Sequence, residues 1–303
     1  MPNERRSKLM DLKEAVAKFV KAGSSLGIGG VLHDGRPCAF IREVARQGIG
    51  NLTLYSGPIS GYDVDLLIGA GLVKETRLSM VTLGDLGMAP NFRKAVEGGE
   101  IKAHLMDTVT ACAGFLAGIQ RHPYHFVQSL KGTDMLAVSP LYETLTDSHG
   151  EKFTAVKAFV PDVTVVHVEQ ADEFGNIRNL IPLVLIDKMI AKAARKVVVT
   201  ADEIIPHSEI LRDPGKTTLG THWVHAVVHI PHGAHPCSTA YYRVDEKHLR
   251  EYRDAAEANR LGNPAAFDEY MTKYVYEPSD NIEYLTRAGG LNRLIKLKSG
   301  KGR

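Results

Sequence analysis

The chain has 303 residues, enough to bury a sizeable core as one large α/β domain or two smaller ones. Its formal charge of +2 comes without a polybasic block, which argues against a nucleic-acid partner. No apolar run approaches the ~18 residues of a membrane span, residues 1–8 lack the apolar core of a signal peptide, and three scattered cysteines (Cys38, Cys112, Cys237) fit reduced thiols in a cytoplasm.

In chain order, helices and strands alternate. Asp11-Leu12-Lys13-Glu14 reads as a capping box for a helix whose apolar stripe is Ala15, Val16, Phe19 and Val20, closed by Gly23. Leu26 to Ile28 starts as a short apolar run and turns through Gly29-Gly30. Pro37 then opens a helix to Gln47 with Phe40, Ile41, Val44 and Ala45 at helical spacing. Residues 51–55 form a strand ending in Ser56-Gly57-Pro58, followed by a helix through Val64, Leu66, Leu67 and Ile68. Residues 77–81 read as a strand ending in Thr82-Leu83-Gly84-Asp85, 90–97 as a helix and 101–106 as a strand. Asp107 caps a helix over 108–119. The polar stretch 131–150 reads as a long surface loop, a candidate lid or partner contact. Strands follow over 153–160, 163–168, 196–200 and 223–230, with a helix over 187–194 among them. Three last helices cover about 245–260, 264–276 and 281–287.

Strands separated by helices, with glycine-rich loops after the strands, predict a three-layer α/β/α fold around a mainly parallel sheet. Residues 1–243 would form that domain and 244–303 a C-terminal helical appendage packed on it. Ligands of such sheets sit beyond the carboxyl ends of the strands. The loops at Gly29-Gly30, Ser56-Gly57, Thr82 to Gly84 and Asp107-Thr108 would then share one rim, the candidate site.

Paired glycines after a strand let a ligand approach the main chain and can present N–H groups to a developing negative charge. Nucleotide loops fail on spacing. A G-x-G-x-x-G pattern from Gly27 needs glycine where Leu32 stands, and Gly215-Lys216-Thr217 lacks the glycine five residues earlier, which is Ile210. The histidines His222, His225, His229, His232 and His235 lack a carboxylate or cysteine at a familiar ligand spacing, so no metal is expected. His207-Ser208-Glu209 are sequence neighbours, which cannot take triad geometry. Cys38 and Cys112 fall on apolar helix faces and read as inert.

Gly23, Leu26, Ile28, Gly29, Gly30, Gly35 and Pro37 resemble the N-terminal motif of class I CoA-transferase alpha subunits. The runs 201–205 through Arg212-Asp213-Pro214, Leu66 to Gly69, and Gly233 to Pro236 are similar to glutaconate CoA-transferase A subunits, and the likeness extends over roughly 12–298. The resemblance implies CoA transfer between an acyl-CoA and a small, possibly dicarboxylic acid, with coenzyme A as substrate and no permanently bound cofactor. It implies a glutamyl-CoA thioester on a beta-type partner, in an assembly of α2β2 or larger, because the partner's Ser-Glu-Asn-Gly-like motif is missing here. Gly29 and Gly30 would supply oxyanion donors, and Val31, Ser56, Gly57, Thr82, Gly84, Asp107 and Thr108 would line the substrate pocket. Other readings on the same scaffold are acyl-CoA hydrolysis, ring cleavage or decarboxylation. A non-catalytic ligand binder is a further one. Thr108 stands where a ring-cleaving branch carries glutamate.

Overall fold

A computed structural model describes residues 6–181 and 185–298. The first half alternates α1 (Leu12–Phe19), β1 (Ser25–Ile28), α2 (Cys38–Arg46), β2 (Leu52–Ser56), α3 (Tyr62–Gly69), β3 (Val73–Leu78), α4 (Pro90–Glu97), β4 (Lys102–Leu105) and α5 (Thr108–Gln120). A small subsheet follows: β5 (Tyr124–Val127), α6 (Met135–Val138), β6 (Tyr142–Thr146) and β7 (Lys152–Lys157). The chain returns through β8 (Val163–Ala171), β9 (Ile177–Arg178), α7 (Leu185–Ala193), β10 (Lys196–Ile204), α8 (His207–Arg212) and β11 (Ala226–His229). Helices α9 (Glu246–Arg260), α10 (Ala265–Met271), α11 (Asn281–Arg287) and α12 (Gly290–Leu297) close it.

The main sheet runs β11-β10-β8-β1-β2-β3-β4, all parallel, with β9 antiparallel on β8. Side chains alternate across it, as the twofold period of a strand requires. Leu26, Ile28, Val163, Val165 and Val198 pack on the face covered by α1 to α4 and the C-terminal helices. Val166, Val168, Val197 and Val199 pack on the opposite face with α5 and α7. The expected three-layer class is therefore observed. The C-terminal helices enter the first of these cores directly, through Tyr252, Phe267, Tyr270 and Tyr284.

Local capping follows the sequence. Asp11 accepts from the N–H groups of Lys13 and Glu14, Asp107 from Thr110, and Asp245 from His248. Several readings change. The third strand is Val73–Leu78 rather than 77–81, because Val73, Thr76 and Leu78 supply its buried positions and residues beyond 78 leave the ladder. The stretch 131–150 is not one loop but carries α6 and β6. Strand β6 pairs by its backbone with β7 and buries little beyond Tyr142, so its composition looks like a loop. The strand expected over 223–230 is shorter, Ala226–His229, behind a 3-10 turn at Thr221–Trp223.

Candidate active site

Strand β1 lies in the middle of the sheet. From it the chain builds outward to β4 on one side, then returns beyond β1 to β8 and proceeds to β11 on the other. The connections after β1 and β8 thus diverge at one point, where open parallel sheets hold ligands. Gly29-Gly30 leave β1 there. A tight turn follows, with Val31 N–H donating to Asp34 O (2.9 Å) and Asp34 N–H to Val31 O (2.8 Å).

The rim loops are tied to one another. Leu32 N–H donates to Ile59 O (2.8 Å), and Thr82 N–H to Ser60 O (2.9 Å). His33 Nε2 lies 3.3 Å from Leu83 O, and burial lowers the His33 pKa. The loops after β1, β2 and β3 are therefore tied to one another by backbone bonds.

The expectation of open donors at Gly29 and Gly30 differs from what is found. Gly29 N–H donates to Val165 O (2.9 Å), and Gly30 N–H to Asp187 Oδ1 (2.6 Å). Buried N–H groups left unpaired are costly, so a buried turn satisfies them internally. Arg36 Nη1 donates to Gly30 O (2.9 Å), which holds the other side of the same residue. The Arg36 guanidinium also makes two 2.8 Å bonds to Asp63, and both side chains are wholly buried.

Asp187 also accepts from Asn179 Nδ2 (3.2 Å). Burial pushes its pKa up to about 7, against the Gly30 N–H bond and the charges of Arg36 and His167. Nearby Glu169 is buried and accepts from the N–H groups of Leu180 and Ala240, both at 2.8 Å.

The other candidate residues divide by position. Ser56 is buried under the turn and donates to Ile28 O (3.1 Å), so it supports the loop. A Cβ on Gly57 would lie 2.9 Å from Ile186 Cγ1, so this position needs glycine for close approach. Val31 is half-buried and packs on the α5 and α7 side. Thr82 is half-buried, donates to Gly87 O and accepts from Gly84 N–H, shaping its own loop. Asp107 caps α5, and Thr108 is exposed beside it. Arg36, Asp63, Glu169 and Asp187 escaped the sequence reading, although Arg36 lies inside the glycine-loop stretch; only their convergence marks them.

The competing motifs fall elsewhere. Lys216 pairs with Asp213 at 2.9 Å in a short 3-10 turn. His235 is buried between Tyr284 (2.8 Å) and Asp245 (3.1 Å) and serves the C-terminal helices. Cys38 and Cys237 are buried free thiols, and burial raises the pKa of Cys112.

These features define an α/β protein with a tied glycine turn at the switch point of its sheet. The coenzyme A transferase family model matches residues 9–229. The glutaconate CoA-transferase A chain of Acidaminococcus fermentans is 33% identical, over 96% of this chain and 95% of its own length. The crystal structure of that bacterium's glutaconate coenzyme A-transferase superposes with a TM-score of 0.89 at 30% identity, covering 98% of this chain and 97% of that one. A chain of the decarboxylase AibA/AibB superposes with a TM-score of 0.77 at 26% identity, over 88% of this chain and 99% of its own. An uncharacterised Archaeoglobus fulgidus protein is 34% identical over 97% of this chain, which spans 65% of that protein's length. The chain belongs to the coenzyme A transferase family. Among the described residues, no helix is long and apolar enough to cross a membrane.

Proposed function

We propose that this chain is the alpha subunit of a CoA-transferase that moves CoA between an acyl-CoA and a small carboxylic acid. The nucleophile is a glutamate on a beta-type partner, which takes the acyl group as an anhydride and then CoA as a thioester. The observation that carries this reading is the condition of the carboxylates buried at this edge. Asp63 is bound to Arg36, Glu169 to two backbone N–H groups, and Asp187 to Gly30 and Asn179. None of these three is free to attack a thioester, so the chain supports a site that a second polypeptide completes. A covalent carboxylate divides one difficult transfer into easier steps.

In this proposal the Gly29-Gly30 turn faces the acyl carbonyl, and Val31, Gly57, Thr82, Gly84, Asp107 and Thr108 shape the acid pocket from this side, with Ser56 beneath. Oxyanion stabilisation through Gly30 then requires its N–H to be shared between Asp187 and the substrate oxygen. The likeness to a decarboxylase chain supports a second reading, loss of CO2 from an acyl-CoA on the same scaffold.

The test is to express the chain alone and with the partner encoded beside it, then assay acyl-CoA exchange with added carboxylates. Transfer is expected only in the complex, with borohydride trapping a partner glutamate. Acceptor-independent release of CO2 would favour decarboxylation, acceptor-independent release of free CoA would favour hydrolysis, and full activity of this chain alone would overturn the assignment.

A further inference from the structure

We propose that Asp187 is a positioning residue of the candidate site: its carboxyl holds the Gly30 N–H while Arg36 holds the Gly30 carbonyl, and together they set the turn that walls the site. The inference deepens the proposed CoA-transferase reading and rests on it for its kinetic arm.

Asp187 and Gly30 are 157 residues apart, and their bond is short, 2.6 Å, as charge-assisted N–H bonds are. The neighbouring glycine is explained by the same carboxyl. A Cβ on Gly29 would sit 2.6 Å from Asp187 Oδ1 and 2.8 Å from Val166 Cγ1, so only glycine lets α7 close on the turn. Gly30 has φ +81°, and a Cβ there would meet the backbone oxygens of Asp34 and Gly35 at 2.7 Å. The turn has one narrow path, and Asp187 is the side chain that pins it from the β9–α7 side.

The groups facing Asp187 oppose one another. Arg36 from the glycine-loop segment and His167 from β8 favour its charged form, Glu169 from β8 disfavours it, and burial outweighs them. Asn179 supplies a neutral donor. A carboxyl of this kind titrates close to neutral pH, so the strength of its hold on Gly30 changes there. Ionisation strengthens the bond and tightens the turn.

The experiment uses the full chain labelled with 15N- and 13C-carbonyl-glycine. The sequence contains three glycines preceded by glycine, Gly30, Gly99 and Gly290, and Gly99→Ala with Gly290→Ala separates them. The Gly30 amide proton is expected downfield, moving with a midpoint near pH 7 in the native chain and losing that midpoint in Asp187→Asn. In the complex with its partner, Asp187→Asn should lower kcat about 10- to 50-fold with KM within about threefold, the scale of a misplaced catalytic wall. Asp187→Ala should be slower still, because Asn keeps one acceptor oxygen. The neutral-pH inflection in kcat should vanish in both variants. A Gly30 resonance indifferent to pH and to Asp187→Asn would overturn the proposal. So would an unchanged kcat in the folded Asp187→Ala complex. If the unsubstituted complex transfers no CoA to any carboxylate, the functional reading fails, and the Gly30 titration alone decides whether Asp187 sets the turn.

Discussion

Arg36 is wholly buried, and Asp63 is what makes that tolerable: each of its oxygens takes one 2.8 Å bond from the guanidinium. Removing one partner of such a pair leaves an uncompensated charge, a loss of about 3–5 kcal/mol, whereas replacing both by apolar groups is often neutral. Asp63→Asn should therefore lower unfolding free energy in urea by about that amount, and Arg36→Met with Asp63→Leu should recover only part of it, because Gly30 O loses its guanidinium donor and Val64 N–H its acceptor. A double variant no more stable than the single one would show that the pair is not the cause. Asp187 makes the opposite kind of prediction. Its native pKa is raised to about 7 by burial, above the ordinary carboxylate value. Between those values the folded chain binds more protons than the unfolded one, so this group's contribution to stability falls as pH rises through that window. Asp187→Asn is permanently neutral. It should be more stable than the native chain above pH 7, with the gain disappearing toward pH 4, as measured by denaturant unfolding across pH. A gain independent of pH would contradict the linkage.

Helix α5 shows how an element's sequence can mislead about its tolerance. Gly114 and Gly118 look like weak helix residues, and an isolated helix would gain about 1 kcal/mol from alanine at either position. In the fold they are where α5 presses on Phe159. A Cβ on Gly118 would lie 2.1 Å from the Phe159 backbone oxygen, and one on Gly114 would lie 2.3 Å from its ring. A backbone atom cannot move aside as a side chain can. Gly118→Ala should destabilise the chain by at least about 1–3 kcal/mol, the range of overpacking, despite its better propensity. An unchanged melting temperature would refute the close approach. The caps were legible because Asp11 and Asp107 bond to N–H groups within three residues of themselves. Strand β6 was not, because its partner is β7 and its own side chains are mostly exposed.

Across the whole molecule, the loops at the carboxyl edge of the sheet carry large apolar side chains in the open. Met80 and Met88 stand beside the loop after β3, Val109 at the start of α5 and Leu180 after β9, with exposures of 43%, 56%, 54% and 44%. Scattered apolar residues on a surface need no explanation, but several on the candidate-site edge fit a surface that a partner covers. Under the proposed two-subunit site, Met88→Asp and Val109→Asp should weaken assembly with the beta-type partner by tenfold or more in a binding titration. The melting temperature of this chain should stay within a few degrees. If both variants assemble normally, the partner covers another face. At this scale the sequence indicated the alternation of strands and helices around a mainly parallel sheet. It did not indicate that the chain reverses around β1, since sheet order depends on which strands pair.

Residue type and spacing determined the capped helix starts at Asp11 and Asp107, the alternation of strands and helices and the glycine turn after β1, and the order of the motifs carried the resemblance to class I CoA-transferase alpha subunits. Each of these is a local pattern: a cap, an apolar period, or a run of residues that can be compared in order. The clamp on Gly30 was decided only by tertiary structure. Asp187 reads as an ordinary acid at a helix start, and Asp63 as another. Neither announces a partner, because Asp187 meets Gly30 across 157 residues and Arg36 meets Asp63 across 27. Burial then changes what those groups are chemically, holding an ion pair away from water and lifting one carboxyl toward neutral pH. Composition carries no record of such pairings, because they come from the packing of α7 and α3 against the turn rather than from neighbours along the chain.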